Sequence, residues 1–330
     1  MPHSAHLAPP LFKQINPTNA PLTLPLEPIH IHADAAPLIC SVGTTYTPKP
    51  IFVRSDRYSE LNGKGKSVPK LNLRGGSRAV VDALQSSCSR LGVGYIDLYQ
   101  ADFTPSKSAL FYPGGKGKIV QGLKMCKTRG LCNSVGVVGV KGRRNVERIE
   151  KLFSKNDLKL DTLTADFSLV DRTVLYDGTL DACKKLGITF IASTPLGPMG
   201  IASGKFTARD PTGGEMGKPK FQFKELEPLL YLHDALKSVA GMVRRRLKER
   251  WEKEREKKKK KGQKIDVNEA FPTQVTPQQV ALNYVSAKGA TPVPSLINMK
   301  DIEDLIVAKS WRLNAEEMEV IDEAAAKVEG

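Results

Sequence analysis

The feature that most limits what this chain can fold into is its regular alternation of short apolar runs with helical periods. Strands are expected near residues 51, 95, 132, 160, 188 and 291, each followed by a helix. Short buried strands separated by helices mean a parallel sheet with helical cover, because each parallel pairing needs a crossover connection. The first clear helix starts at Ser77, a candidate N-cap, and places Val80, Val81, Leu84, Cys88 and Leu91 at helical spacing before Gly92 stops it. Gly130 and Gly187 stop later helices in the same way, and Pro277 sits in the first turn of another. Helices are expected at 119–129, 145–153, 175–186, 225–261, 276–287, 299–308 and 314–327. No G-x-G-x-x-G follows any strand, so a closed barrel is favoured over an open nucleotide-binding sheet. The expected fold is α/β, a (β/α)8 TIM-type barrel with its first two βα units divergent or incomplete. Residues 1–50 then form an irregular N-terminal region, with possible short strands at 28–32 and 37–42, and residues 51–330 form the barrel.

With 40% apolar residues in 330, a sizeable core can be buried. The longest apolar runs, 136–140 and 188–191, are too short to span a bilayer. The net charge of +15 is concentrated in one place. Between Arg244 and Lys264 thirteen Lys or Arg stand against four Glu, a local charge of +9, which marks a basic insertion within the barrel. Such a run could bind nucleic acid, acidic lipid or an import receptor. Its interleaved Glu249, Glu252, Glu254 and Glu256, and its single aromatic Trp251, favour a solvated helix with i,i+4 pairs instead. Cys40, Cys88, Cys126, Cys132 and Cys183 include no CxxC pair and no zinc-ligand spacing, so buried thiols in a reduced compartment are expected and no metal site. The N-terminus has no basic stretch followed by an apolar one, which argues against a secretory signal and leaves a cytoplasmic or plastid location.

Four segments, in order, resemble the aldo/keto reductase family. "LQSSCSRLGVGYIDLYQ" at 84–100 is similar to that family's helix-to-strand motif ending in "DLy". "GLCNSVGVVG" at 130–139 resembles its "G.ir.iGvSN", and "DACKKLGITFIASTPLGPMGIASGKF" at 181–206 resembles its "gi...aysPLg.G.l.gk". "TPQQVALNYVSAKGATPVPSLINMKDIEDLI" at 276–306 is similar to its "tpaqvaL.w.l..g..piPg" segment. The resemblance implies a (β/α)8 barrel that reduces carbonyl compounds with NADP(H) held at the carboxyl ends of the strands.

That chemistry needs a proton donor beside the carbonyl, a lysine and a carboxylate to tune it, and a histidine to orient the substrate. The family's "D-T-A-x-x-Y-G" turn has no match in residues 1–50: Asp34 opens "DAAPLI", which puts Ile39 at the tyrosine position, and Tyr46 and Tyr58 lie in other settings. Arg54 ends the "IFVR" run where the family has its lysine, and Asp102 stands at its histidine. On the cofactor side the resemblance places Val138 and Gly139 at the Ser-Asn pair that holds the carboxamide, Thr164 at a glutamine, and Ser193 at the tyrosine that stacks on the nicotinamide. Leu196 remains from the Pro-Leu-Gly stretch, and Lys300 is the basic residue left for the 2′-phosphate. Asp97, Pro195, Gly200, Gly204 and Pro294 also survive. Asp102 and Asp166 are strand-end carboxylates, Tyr99 is expected in the core, and His233, alone on its helix, is expected to be structural. Two function classes follow. One is an NADP(H)-dependent oxidoreductase of small carbonyl compounds; the other is a non-catalytic barrel that binds or scaffolds. Residues 1–50 standing in place of the first two βα units would account for the missing tyrosine under either.

Overall fold

The computed structural model describes residues 43–46, 50–52, 71–73, 76–104, 115–212, 221–261, 274–295 and 299–329, the first three segments as backbone. Its centre is a parallel sheet. Strand β4 (Ile96–Asp102) pairs with β5 (Cys132–Val138), and β6 (Thr162–Ala165), β7 (Thr189–Ala192) and β8 (Thr291–Pro292) follow in sequence order. Five adjacent parallel strands after residue 50 bear out the expected alternation. On the other side of β4 lies β1 (Gly43–Tyr46), also parallel, with Thr45 opposite Gln100. Among the described residues β1 and β8 are not paired with each other.

The edge of this sheet corrects one sequence expectation. The run at 51–53 does not enter the parallel sheet: β2 (Pro50–Phe52) pairs antiparallel with β3 (Leu71–Leu73) in a separate two-stranded sheet. Pro50 has no N–H to donate to a ladder, which suits a short edge strand, whereas the β-branched pair Thr44-Thr45 suits a ladder position. The place beside β4 therefore belongs to Gly43–Tyr46, inside the stretch expected to be irregular. Arg54, Tyr58 and the possible strands at 28–32 and 37–42 lie outside the described residues.

Helices cover the sheet. Helix α1 (Ser77–Leu91) buries Val80, Val81, Leu84 and Cys88, while Leu91, the last member of the expected stripe, is exposed. Gly76, not Ser77, is its N-cap, and Gly92 ends it in the left-handed conformation. Helices α2 (Gly115–Thr128) and α3 (Arg143–Ser154) follow β4 and β5. The helix expected at 175–186 is broken into α4 (Thr173–Tyr176) and α5 (Thr179–Leu186). Gly178 turns the chain there, and the Asp177 carboxylate accepts from Thr179 N–H at 2.8 Å, so the side chain competes with helical continuation.

After α6 (Phe223–Leu226), α7 (Leu230–Lys260) spans 31 residues, about 46 Å at the usual rise. Its buried stripe runs from Leu232 through Leu236, Val239 and Ala240 to Val243 and goes no further. Beyond it, Lys248–Glu252 and Arg250–Glu254 pair at i,i+4 spacing, and the Arg255 guanidinium lies 4.7 Å from the Trp251 ring centroid. Helix α8 (Pro277–Ala287) opens with the reciprocal Thr276–Gln279 cap, and α9 (Met299–Lys309) and α10 (Ala315–Glu329) complete the cover. Two charged groups lock α10 in place. The buried Glu317 carboxylate accepts from Arg246 at 2.9 and 3.0 Å and from Asn314 N–H at 2.8 Å, while Asp322 accepts from Tyr284 at 2.6 Å and Lys288 at 2.7 Å. His233 is structural as expected: its Nε2 meets the Ile201 carbonyl at 3.0 Å, and burial pulls its pKa down.

A polar row crosses the sheet interior. The register aligns Gln100 with Gly136 and Gly136 with Thr162, and the Gln100 amide donates across the glycine to Thr162 Oγ1 at 3.0 Å and to Thr164 Oγ1 at 2.7 Å. A Cβ at Gly136 would overlap the Thr162 hydroxyl and backbone carbonyl. The four cysteines among the described residues are free and buried, and burial pushes Cys132 up to about 11 and Cys126 and Cys183 up to about 12.

Three outcomes follow. Gly136→Ala, which overpacks the row, lowers stability by about 2 kcal/mol in a denaturant titration. Arg246→Ala leaves Glu317 buried without its cation and costs about 3 kcal/mol by the same measurement. Because thiolate is the reactive form, Cys126, Cys132 and Cys183 resist iodoacetamide at pH 8 in the folded protein and react once it is unfolded, as read by mass spectrometry.

Candidate functional site at the strand ends

Hydrogen bonds carry the sheet one residue past the ends of its strands. Phe103 N–H donates to the Val138 carbonyl at 2.8 Å, Gly139 N–H to Thr164 at 2.9 Å, and Ser193 N–H to Ala165 at 3.1 Å. These residues therefore stand at one rim, at the carboxyl ends of β4 to β7. The rim opens on a cavity of about 910 Å³ walled by Phe103, Thr104, Val138, Gly139, Val140, Ala165, Asp166 and Ser193, with Lys116 from α2. The wall continues along α3 through Asn145, Arg148, Ile149, Lys151 and Leu152 to Lys155. Carboxyl ends of parallel strands are where barrels of this kind place their chemistry, since the loops there vary without disturbing the sheet.

The residues singled out from the sequence separate into groups. Val138, Gly139, Asp166 and Ser193 all line the cavity. Gly139 has φ +77°, and a Cβ there would overlap Thr104, so no side chain fits at the position the resemblance gives to an asparagine. Asp166 accepts from the Ser193 hydroxyl at 2.8 Å and the Thr194 hydroxyl at 3.0 Å, which fixes a carboxylate at the mouth. Thr164 lies below the rim, its hydroxyl engaged by Gln100. Asp102 ends β4 but is no part of the cavity wall; it accepts from Thr104 N–H at 2.9 Å and shapes the turn. Leu196 is half-buried against the core, and its carbonyl accepts from Ala202 N–H at 2.8 Å, away from the cavity. Lys300 is in the first turn of α9 with its side chain outside the described residues, as is the side chain of Tyr46. Tyr99 is in the core, 1% exposed, and its hydroxyl donates to the Val80 carbonyl at 3.0 Å.

Sequence reasoning missed two features. Gln100 is one, although its place two residues before Asp102 on the same strand face was available in the pattern. The other is the cationic wall. Arg148, Lys151 and Lys155 recur at i, i+3 and i+7, the spacing of one helical stripe. Lys116 Nζ lies 5.0 Å from the Phe103 ring centroid, and burial lowers its pKa. Among the described residues no three His, Cys, Asp or Glu gather at metal-binding distance, and no helix is long and apolar enough to cross a membrane.

Comparison with known proteins places this geometry. The chloroplastic pyridoxal reductase of Arabidopsis thaliana is 26% identical over 249 residues, which cover 75% of this chain and 56% of that protein. The chain thus spans little more than half the length of that curated relative. A glycerol dehydrogenase from Gluconobacter oxydans shares the fold with a TM-score of 0.56 at 18% identity, covering 87% of this chain and 72% of that one. An aldo-keto reductase of Bombyx mori, solved in complex with NADP, aligns with a TM-score of 0.48 at 20% identity, covering 76% of this chain and 64% of that one. The family model described as "Aldo/keto reductase family" matches residues 62–326. A match of that extent, over the strands that build the rim, means that the chain belongs to the aldo/keto reductase family.

Proposed function

We propose that the chain is an NADP(H)-dependent oxidoreductase of small carbonyl compounds, working in the cavity at the carboxyl ends of β4 to β7. The observation that carries this reading is the convergence of four consecutive strand ends on one space of about 910 Å³, in a chain of this family. The name of the Arabidopsis thaliana relative extends the reading to an aldehyde substrate, and with it to a plastid location.

The mouth offers polar partners for a nicotinamide carboxamide: the Asp166 carboxylate to accept from the amide N–H and the Ser193 hydroxyl beside it. NADP(H), when bound, supplies the hydride. The chain's own residues must then hold and deliver the proton that the carbonyl oxygen takes up. Tyr99 is locked to the Val80 carbonyl inside the sheet, and Asp102 is held by Thr104. Lys116 remains at the cavity edge. Its ammonium has protons to give, and desolvation lowers its pKa.

A second reading, a barrel that binds these ligands without turnover, is favoured by one observation: the positions that resemble the family's carboxamide-holding residues are occupied differently. Thr104 fills the space beside Gly139, and Gln100 engages Thr164. A single series separates the two. Under the oxidoreductase reading NADPH binds with micromolar Kd by calorimetry, pyridoxal and simple aldehydes consume NADPH, and Lys116→Met lowers kcat about 10²-fold, the usual scale for a lost proton donor. Binding without turnover selects the second reading. Absence of NADPH binding at millimolar concentration contradicts both.

A further inference from the structure

The cationic wall along α3 has no part in the scheme above. Of the charged residues lining the cavity, Lys116, Lys141, Arg148, Lys151 and Lys155 are basic and Asp166 alone is acidic. Lys141 is paired with Asp171 at 3.2 Å. Arg148, Lys151 and Lys155 have no acidic partner among the described residues, although α3 also carries Glu147 and Glu150. Those two acids are turned to other groups: Glu147 accepts from Arg143 at 3.0 Å, and Glu150 from the Ser154 hydroxyl. Thus α3 and its C-cap Lys155 present three uncompensated cations to the cavity, above a floor made by Ile149 and Leu152. Single-sign charge along a low-dielectric cleft concentrates the field and draws in the opposite charge. The eleven residues from Asn145 to Lys155 span about 15 Å, so the cations lie one to three turns from the strand-end rim.

We propose that the groove along α3 holds the phosphate group of the substrate, so that the carbonyl compound taken by the strand-end cavity is a phosphorylated one. The inference rests on the oxidoreductase reading for the word substrate; the anion site itself does not. Arg148 supplies a planar fork suited to phosphate oxygens, and Lys151 and Lys155 add compact charges on the same stripe. The 2′-phosphate of a dinucleotide is a separate matter, since the family resemblance puts its partner after β8, at Lys300 and not on α3.

The test uses the full chain and two probes. Inorganic pyrophosphate is titrated by calorimetry into the wild type, into Arg148→Ala/Lys151→Ala/Lys155→Ala, and into Lys257→Ala/Lys258→Ala/Lys259→Ala, which removes equal charge from the far end of α7. The α3 variant is expected to bind at least 10-fold more weakly and the α7 variant as the wild type does. In steady-state kinetics, KM for glyceraldehyde 3-phosphate is expected to rise at least 10-fold in the α3 variant and KM for glyceraldehyde to stay the same. Unchanged pyrophosphate affinity in the α3 variant, or an equal loss in the α7 variant, overturns the anion site. Equal rises in both KM values overturn the phosphate assignment. If the wild type turns over neither aldehyde, the oxidoreductase reading fails and the substrate assignment with it, while the pyrophosphate titration still decides the anion site; circular dichroism confirms that each variant is folded.

Discussion

The interior of this barrel is organised by one polar row that must be satisfied. Gln100 sits 8% exposed among apolar neighbours, and an unpaired amide there would cost the sheet about as much as a good hydrophobic contact gives. Its partners, Thr162 and Thr164, are two strands away. The reach is possible because the strand between carries Gly136 at the matching position, where any Cβ would fill the path. This constraint propagates upward. Side chains two residues on share the same face of a strand, so Asp102 lies above Gln100, Val138 above Gly136 and Thr164 above Thr162. The register that satisfies the row also sets which residues end each strand.

That coupling shapes the rim in a concerted way. With Thr164 engaged from below by Gln100, its hydroxyl is committed to the interior. With Thr104 pressed against Gly139, the neighbouring position carries backbone only, in a left-handed conformation that favours glycine. Polar character at the mouth lies with Asp166, Ser193 and Thr194, and positive charge lies along α3. The result is a mouth with a fixed carboxylate on one wall and free cations on another, an arrangement that orients a dipolar or anionic ligand along the line between them.

Much of this was legible in the residues. Gly92, Gly130 and Gly187 marked helix ends because only glycine takes the left-handed cap cheaply, and each does so here. The helix start at Pro277 was legible because the fixed φ and missing N–H of proline suit a first turn. Tyr99 was placed in the core by its position in a strand, and His233 was read as structural because it stands alone on its helix; both are buried. What failed was non-local. Whether residues 50–52 or 43–46 pair with β4 is decided by long-range ladder hydrogen bonds that local apolar content does not encode. The break at Asp177-Gly178 was hidden inside a helical period, because a local bond from Thr179 N–H to the Asp177 carboxylate and the left-handed Gly178 overrode the pattern. Leu196 and Asp102, carried over by motif, are not part of the cavity wall.

A crystal structure of the full chain soaked with NADP(H) shows most directly whether the carboxyl ends of β4 to β7 form the ligand site. The nicotinamide ring is expected in the strand-end cavity, with its carboxamide within hydrogen-bonding distance of the Asp166 carboxylate or the Ser193 hydroxyl. A nicotinamide ring bound elsewhere on the molecule, with that cavity left to solvent, would contradict it.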